Sequence, residues 1–281
     1  MSRLRFALAL AAAILGGPSL AQPNDLAAAT TFIAAGQFAE AVPILTRLAA
    51  EGNAEAQRRL GRLYEEGVGV VRDVAEAVRL YRAAADQGDA IGQYLLATMY
   101  LDGAGVERDI ETAMLWFGRS ADQGYAFAYF SLGYRYFNGE GVERDYAIAH
   151  AWFLRAAAGG LPQASYLVGL AYSGGRGVEQ NFDKAFEWMW ASAQTGYAAA
   201  VYALGVAYGQ GQGIEANMVE SYRWFYTALV LTRSPPGSPV YQAAYDAGLL
   251  LSPAQRAKAE VTAEDWMAAH ADDAIPVPGD G

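Results

Sequence analysis

The chain contains no cysteine. That excludes disulfide staples, thiol nucleophiles and thiolate zinc sites, so packing must hold the molecule together. Histidine is almost absent as well. The two present, His150 and His270, have no partner at metal-ligand spacing, and no metal site is expected. No glycine cluster leads into the lysine of a phosphate-binding loop, and none forms the three-glycine dinucleotide fingerprint after a strand. A Gly-x-Ser-x-Gly elbow and a Ser-x-x-Lys pair are also missing. The sequence thus offers no catalytic constellation, and the expectation is a non-enzymatic protein without a cofactor. Basic residues are in deficit, 20 Lys and Arg against 30 Asp and Glu, for a formal net charge of −10. Such a balance disfavours non-specific attachment to nucleic acid or to anionic membrane, both of which need basic patches.

Long apolar runs are missing too. Phe6 to Leu15 is the nearest to one, and it is about half of the roughly 20 residues a membrane span requires. Arg3 and Arg5 precede it, Gly16, Gly17 and Pro18 break it, and Ser19-Leu20-Ala21 places small residues where a signal peptidase reads. The expectation is a signal peptide over 1–21, cleaved near Ala21, and a periplasmic or secreted product. An N-terminal membrane anchor is the competing reading. Loss of the two leader arginines would make the chain more acidic still.

What the sequence does have is repetition. A small residue stands at Gly61, Ala97, Gly133, Gly169 and Gly205, each 36 residues after the last. Leucine or valine precedes each one, and tyrosine follows three positions later at Tyr64, Tyr100, Tyr136, Tyr172 and Tyr208. A fixed period of this size marks a supersecondary unit that cannot bury its apolar face alone and must stack on its neighbours. Within one unit, Ala56, Leu60, Leu63 and Tyr64 have helical spacing, and Gly67 and Gly69 stop that helix. Asp73, Asp109, Asp145, Asn181 and Asn217 then read as N-caps of a second helix, on which Ala77 and its equivalents allow close approach. Aromatics follow a turn later, such as Trp116 with Phe117 and Trp152 with Phe153. Their spacing assigns them to the core rather than to a sugar platform.

The segment Leu60 to Gly88, LGRLYEEGVGVVRDVAEAVRLYRAAADQG, resembles a Sel1-like repeat, a relative of the tetratricopeptide repeat; Leu132 to Gly160 resembles it equally well. The resemblance covers five units, 54–232. It implies an all-α fold, a right-handed α/α superhelical solenoid of about five 36-residue helix pairs, that serves as a protein-interaction scaffold with no shared catalytic residues. Some cysteine-rich relatives have been linked to β-lactam binding, which adds a hydrolase of β-lactams or cell-wall material as a further reading, although this chain lacks those cysteines.

Around the array, 22–53 reads as an N-terminal capping helical pair, with Pro43 in the first turn of its second helix, where proline is tolerated. The run Ser234-Pro235-Pro236-Gly237-Ser238-Pro239 breaks the chain, and capping helices are expected over 233–270, one of them opened by Ser252 and Pro253. A disordered tail is expected over 271–281.

The expected binding surface is the concave stripe of the first helices, opposite their core face. In the first repeat it carries Arg59, Arg62 and Glu66; in the second, Leu95, Thr98 and Asp102. Phe127, Ser131, Tyr134 and Asn138 follow in the third, and Leu167 and Leu170 in the fourth. These positions change from copy to copy while the core columns do not, and they pass from charged to apolar. A groove of that kind suits an extended or helical peptide, with Tyr134 and Phe127 as the leading contacts. Beside this stands the reading that C-terminal helices cover the apolar end. The expectation is a scaffold of the cell envelope with a protein or peptide partner; the alternative is a cell-wall or carbohydrate ligand held by aromatics.

Overall fold

The computed structural model describes residues 25–270; the expected signal peptide and the expected disordered tail lie outside the described residues. Two compact units are present, 25–92 with 104–106, and 93–103 with 107–270. Among the described residues every regular element is an α-helix. The first unit holds α1 (Asp25–Ala34), α2 (Phe38–Ala50), α3 (Ala54–Glu66), α4 (Val74–Asp86) and the start of α5 (Ala90–Asp102). The second holds the rest of α5, then α6 (Ile110–Asp122), α7 (Ala126–Asn138), α8 (Tyr146–Ala158), α9 (Pro162–Gly174) and α10 (Phe182–Ala193). It continues with α11 (Ala198–Gln210), α12 (Met218–Thr232), α13 (Pro239–Leu249) and α14 (Pro253–Ala269). The architecture is the helix-pair repeat of an α/α solenoid.

The small-residue column exists because the second helix presses into the first. A Cβ added at Gly61 would stand 2.8 Å from the Tyr81 ring, and one at Gly133 would stand 2.7 Å from Phe153. At Gly169 it would meet Met189 at 2.9 Å, and at Gly205 it would meet Phe225 at 2.6 Å. In each repeat the residue 20 positions later fills the notch. Ala97 and Phe117 are the corresponding pair, both buried in one cluster of the second unit. The apolar column and the small column are therefore two sides of one contact, at which close packing leaves no room for a larger residue.

The loop within each repeat is fixed at both ends. Gly67 takes the left-handed conformation, φ 72°, and its N–H donates to the Leu63 carbonyl. The N–H of Asp73 donates to the Tyr64 carbonyl at 2.9 Å, and the same bond joins Asp109 to Tyr100, Asp145 to Tyr136, Asn181 to Tyr172 and Asn217 to Tyr208. The cap side chains then accept from backbone N–H groups of the helix they open, Asp73 from Glu76 at 3.0 Å and Asn217 from Glu220 at 3.1 Å. Two otherwise orphaned backbone groups are satisfied in one stroke.

The structure corrects the expectation for Pro43. Gly36, with φ 71°, makes a tight turn, Gln37 stands at the N-cap, and α2 begins at Phe38. Pro43 is then the sixth residue and lies inside the helix, not in its first turn. One intrahelical N–H bond is forfeited there. Packing of Leu45, Leu48 and Ala49 in the core of the first unit offsets that loss.

In the second unit α13 and α14 pack on α12. Ser252 forms a capping box with Gln255, with Pro253 at the start of the helix. Trp224 is fully buried, with Trp190 and Trp266 at 5.5 and 5.4 Å on its ring. The far end of α14 is tied to α10 through His270, whose Nε2 lies 3.1 Å from Gln194.

Candidate functional site

The twelve stripe residues are divided between the two units. Arg59, Arg62 and Glu66 are on α3 in the first unit; the other nine are in the second. On α3 the charges close on themselves. Arg59 pairs with Glu55 and Arg62 with Glu66, each at 2.8 Å and one helical turn apart. On α5 the Thr98 hydroxyl donates to the Leu95 carbonyl at 2.7 Å, and Asp102 is exposed at the helix end.

On α7 the stripe separates into packed and open positions. Phe127 sits in an aromatic cluster with Tyr94 and Tyr125, at centroid distances of 6.2 and 5.6 Å. Ser131 holds the Tyr94 hydroxyl, whose pKa is raised because the ring is buried. Phe127 and Ser131 thus serve packing. Asn138 donates to Glu140 at 3.1 Å, and Glu140 also pairs with Arg135. Tyr134 is the open member: it is 43% exposed, with the Arg135 guanidinium 5.6 Å from its ring centre. Leu170 on α9 occupies the equivalent place in the next repeat and is 39% exposed.

Leu170 is also the ridge between two apolar clefts of the second unit. One, of about 370 Å³, has a floor of Phe137, Phe153, Leu167 and Leu170. Ser173, Gly174 and Arg176 form its rim, and His150 lies in its wall. The other, of about 190 Å³, is bounded by Leu170 and Ser173 on one side and by Tyr202, Ala203 and Val206 of α11 on the other. Tyr202 and Val206 also pack on the cluster built by α12, α13 and α14. The C-terminal helices therefore cover part of α11 and leave Leu170 open.

His150 was legible only as a packing or surface residue next to Ala149. It is 6% exposed, its Nδ1 has no hydrogen-bond partner among the described residues, and its ring meets Tyr172 edge-on at 5.2 Å. Burial lowers its pKa and favours the neutral imidazole. The signal was in the columns: Val78, Met114, Phe186 and Tyr222 take this position in the other repeats, so a histidine there is an intrusion of polarity into an apolar row. Arg176 and Ser173 were missed outright.

Trp116, Trp152 and Trp224 are turned to packing, whereas Trp190, although its ring contacts Trp224, is 37% exposed. Trp152 stacks on Tyr129 at 5.7 Å, with Arg155 at 4.8 Å from its ring, and Arg119 lies 4.4 Å from Trp116. Among the described residues no three His, Asp or Glu side chains converge as a metal site, and no helix is long and apolar enough to cross a membrane.

Residues 54–89, 90–125, 126–161, 162–194 and 198–229 each match the Sel1 repeat. Among solved structures, the chain is similar to c5321, a protective antigen of uropathogenic Escherichia coli strains that displays an SLR fold. Identity is 31% and the TM-score 0.79, over 88% of this chain and 53% of the antigen, so the chain spans about half the antigen's length. It is also similar to a Sel1 repeat protein from Oxalobacter formigenes, at 30% identity and a TM-score of 0.72, over 85% of this chain and 99% of the other. No curated protein matches the chain.

Proposed function

The chain belongs to the Sel1 repeat family, whose members are generally protein-interaction scaffolds, and from that premise we propose that it is a non-enzymatic adaptor of the cell envelope. It binds a peptide segment of a partner protein along the first-helix faces of its second unit. The observation that carries this reading is the open pair Tyr134 and Leu170, at equivalent places on α7 and α9, with two apolar clefts meeting at Leu170. Exposed aromatic and branched side chains beside clefts are what an anchoring side chain of a partner needs. The paired charges of α3 offer nothing comparable, since each already has its counter-ion. Export rests on the leader-like residues 1–21, and the acidic balance fits a protein partner better than a nucleic acid.

The test is photo-crosslinking in the native cell. A photoreactive residue replaces Tyr134, with a control at the exposed Arg79 of α4. A discrete protein adduct at position 134 alone supports the adaptor and identifies its partner; no adduct from folded protein at 134 removes the reading. Cell fractionation with N-terminal sequencing checks export, the expected mature terminus being Gln22.

A further inference from the structure

The larger cleft departs from the repeat pattern in three ways that point in one chemical direction. His150 brings a buried, unpartnered nitrogen into a row that is otherwise Val78, Met114, Phe186 and Tyr222. Ser173 and Gly174 replace the bulkier Phe137 and Asn138 of the preceding repeat, which opens the space. Arg176 stands in a loop position held elsewhere by Val68, Ala104, Glu140 and Gln212, and among the described residues it makes no ion pair. The corresponding Glu140 is already paired with Arg135. Among the described residues no acidic side chain lines the cleft, and the charged group there is the Arg176 guanidinium at the rim. The carbonyl of Ala171, at the end of α9, is taken by the N–H groups of Gly175 and Arg176.

A group that fits must fill an apolar floor, offer a hydrogen bond to the buried imidazole and carry a negative charge to the rim. A volume of about 370 Å³ accommodates one large side chain with its backbone, not a folded element. We propose that this cleft captures the C-terminal residue of the partner protein, an apolar side chain against Phe137, Phe153 and Leu167 with its free carboxylate on Arg176. The side chain supplies burial, the guanidinium a charge-assisted bond to the carboxylate, and the terminal amide a polar group facing His150. This rests on the adaptor reading and narrows it: the partner is recognised by how its chain ends.

The test uses the full chain with N-acetyl-leucine, N-acetyl-phenylalanine, their amides, and octanoate, read on the ring resonances of His150 by NMR. The chain has one other histidine, so assignment by His150→Phe is direct. The acetylated acids are expected to shift His150 at about tenfold lower concentration than the amides, the factor a single charged hydrogen bond supplies. Arg176→Gln, a change at an exposed position, should erase that preference without altering the thermal transition. Ser173→Phe, which restores the side chain of the preceding repeat, should abolish the shifts. Equal response to acids and amides, no response at solubility-limited concentration, or an equal response to octanoate overturns the proposal. Crosslinking at Tyr134 with Arg176 kept and with Arg176→Gln separates the two readings. No adduct with Arg176 in place removes the adaptor itself, whereas an adduct that persists undiminished in Arg176→Gln leaves the adaptor and removes the terminal-carboxylate site.

Discussion

The first and fourth repeats are built alike on the inside and oppositely on the outside. Inward, Gly61 faces Tyr81 and Gly169 faces Met189, the same notch filled from the same distance along the chain. Outward, Arg59, Arg62 and Glu66 become Leu167, Leu170 and Gly174. The first set consumes its charge in ion pairs within α3, and the second borders an apolar cleft lined by His150 and by an Arg176 guanidinium that has no counter-ion among the described residues. The lesson is that the notch specifies the helix pair and places no demand on the outer face, so one repeat can close its outer charges on each other while another leaves a cleft open.

The strongest test of inward equivalence is truncation of the filling residue. Tyr81→Ala should lose about 3–5 kcal/mol and Met189→Ala about 2–5 kcal/mol in urea unfolding, since both side chains are buried. If either change cost less than 1 kcal/mol, the notch would not be the organising contact. Filling the notch from the other side should cost less. Gly61→Ala and Gly169→Ala should each lose about 1–3 kcal/mol. The loss at Gly169 should be the smaller, because the Met189 side chain has freely rotating bonds and yields where the Tyr81 ring cannot. A reversed order would break the equivalence.

The pH dependence of His150 comes next. Its folded pKa lies below the unfolded value, so the unfolded chain takes up the proton first. Its contribution is complete above the unfolded pKa, about 6.5, and is lost as pH falls through that value towards the lower folded pKa. Stability of the native chain minus that of His150→Phe should therefore decline between neutral and mildly acidic pH. A flat difference would mean that the ring is solvated. The smallest effect on folding is expected from exchanging the outer residues. Arg62→Leu removes one exposed ion pair and should change stability by no more than about 0.5 kcal/mol. Leu170→Arg should be similarly quiet in unfolding, yet it should abolish the crosslink at Tyr134; an unaffected crosslink would show that the outer face of the fourth repeat is not used.

What could be read from sequence follows the same division. The notch, the left-handed glycines and the Asp and Asn caps are each written five times, and repetition makes a local physical requirement visible in a single chain. The outer face is written once per repeat, so its residues could be named but not sorted. Phe127 and Tyr134 looked alike as aromatic contacts, yet Phe127 is held by Tyr94 and Tyr125 while Tyr134 is open. That difference depends on Tyr94, which comes from the preceding repeat, and no pattern within one copy carries it. Pro43 was misplaced for a related reason: the turn at Gly36 sets where α2 begins, and a tolerated proline and a costly one look identical until that point is known. The cleft beside His150 forms from four residues, His150 on α8, Ser173 and Gly174 on α9 and Arg176 in the loop after it, each unremarkable alone.

The bond from each Asp or Asn N–H to the tyrosine carbonyl nine residues earlier recurs at 2.9 Å in all five copies. It turns the repeat into a unit of currency that cannot be split. One residue added or removed between Tyr64 and Asp73 would break the bond and rotate everything after it, whereas a whole copy inserted at Gly88 would leave every such bond intact. The molecule can therefore be lengthened or shortened only in steps of one repeat, and each added step arrives with a blank outer face on which a new contact can be written.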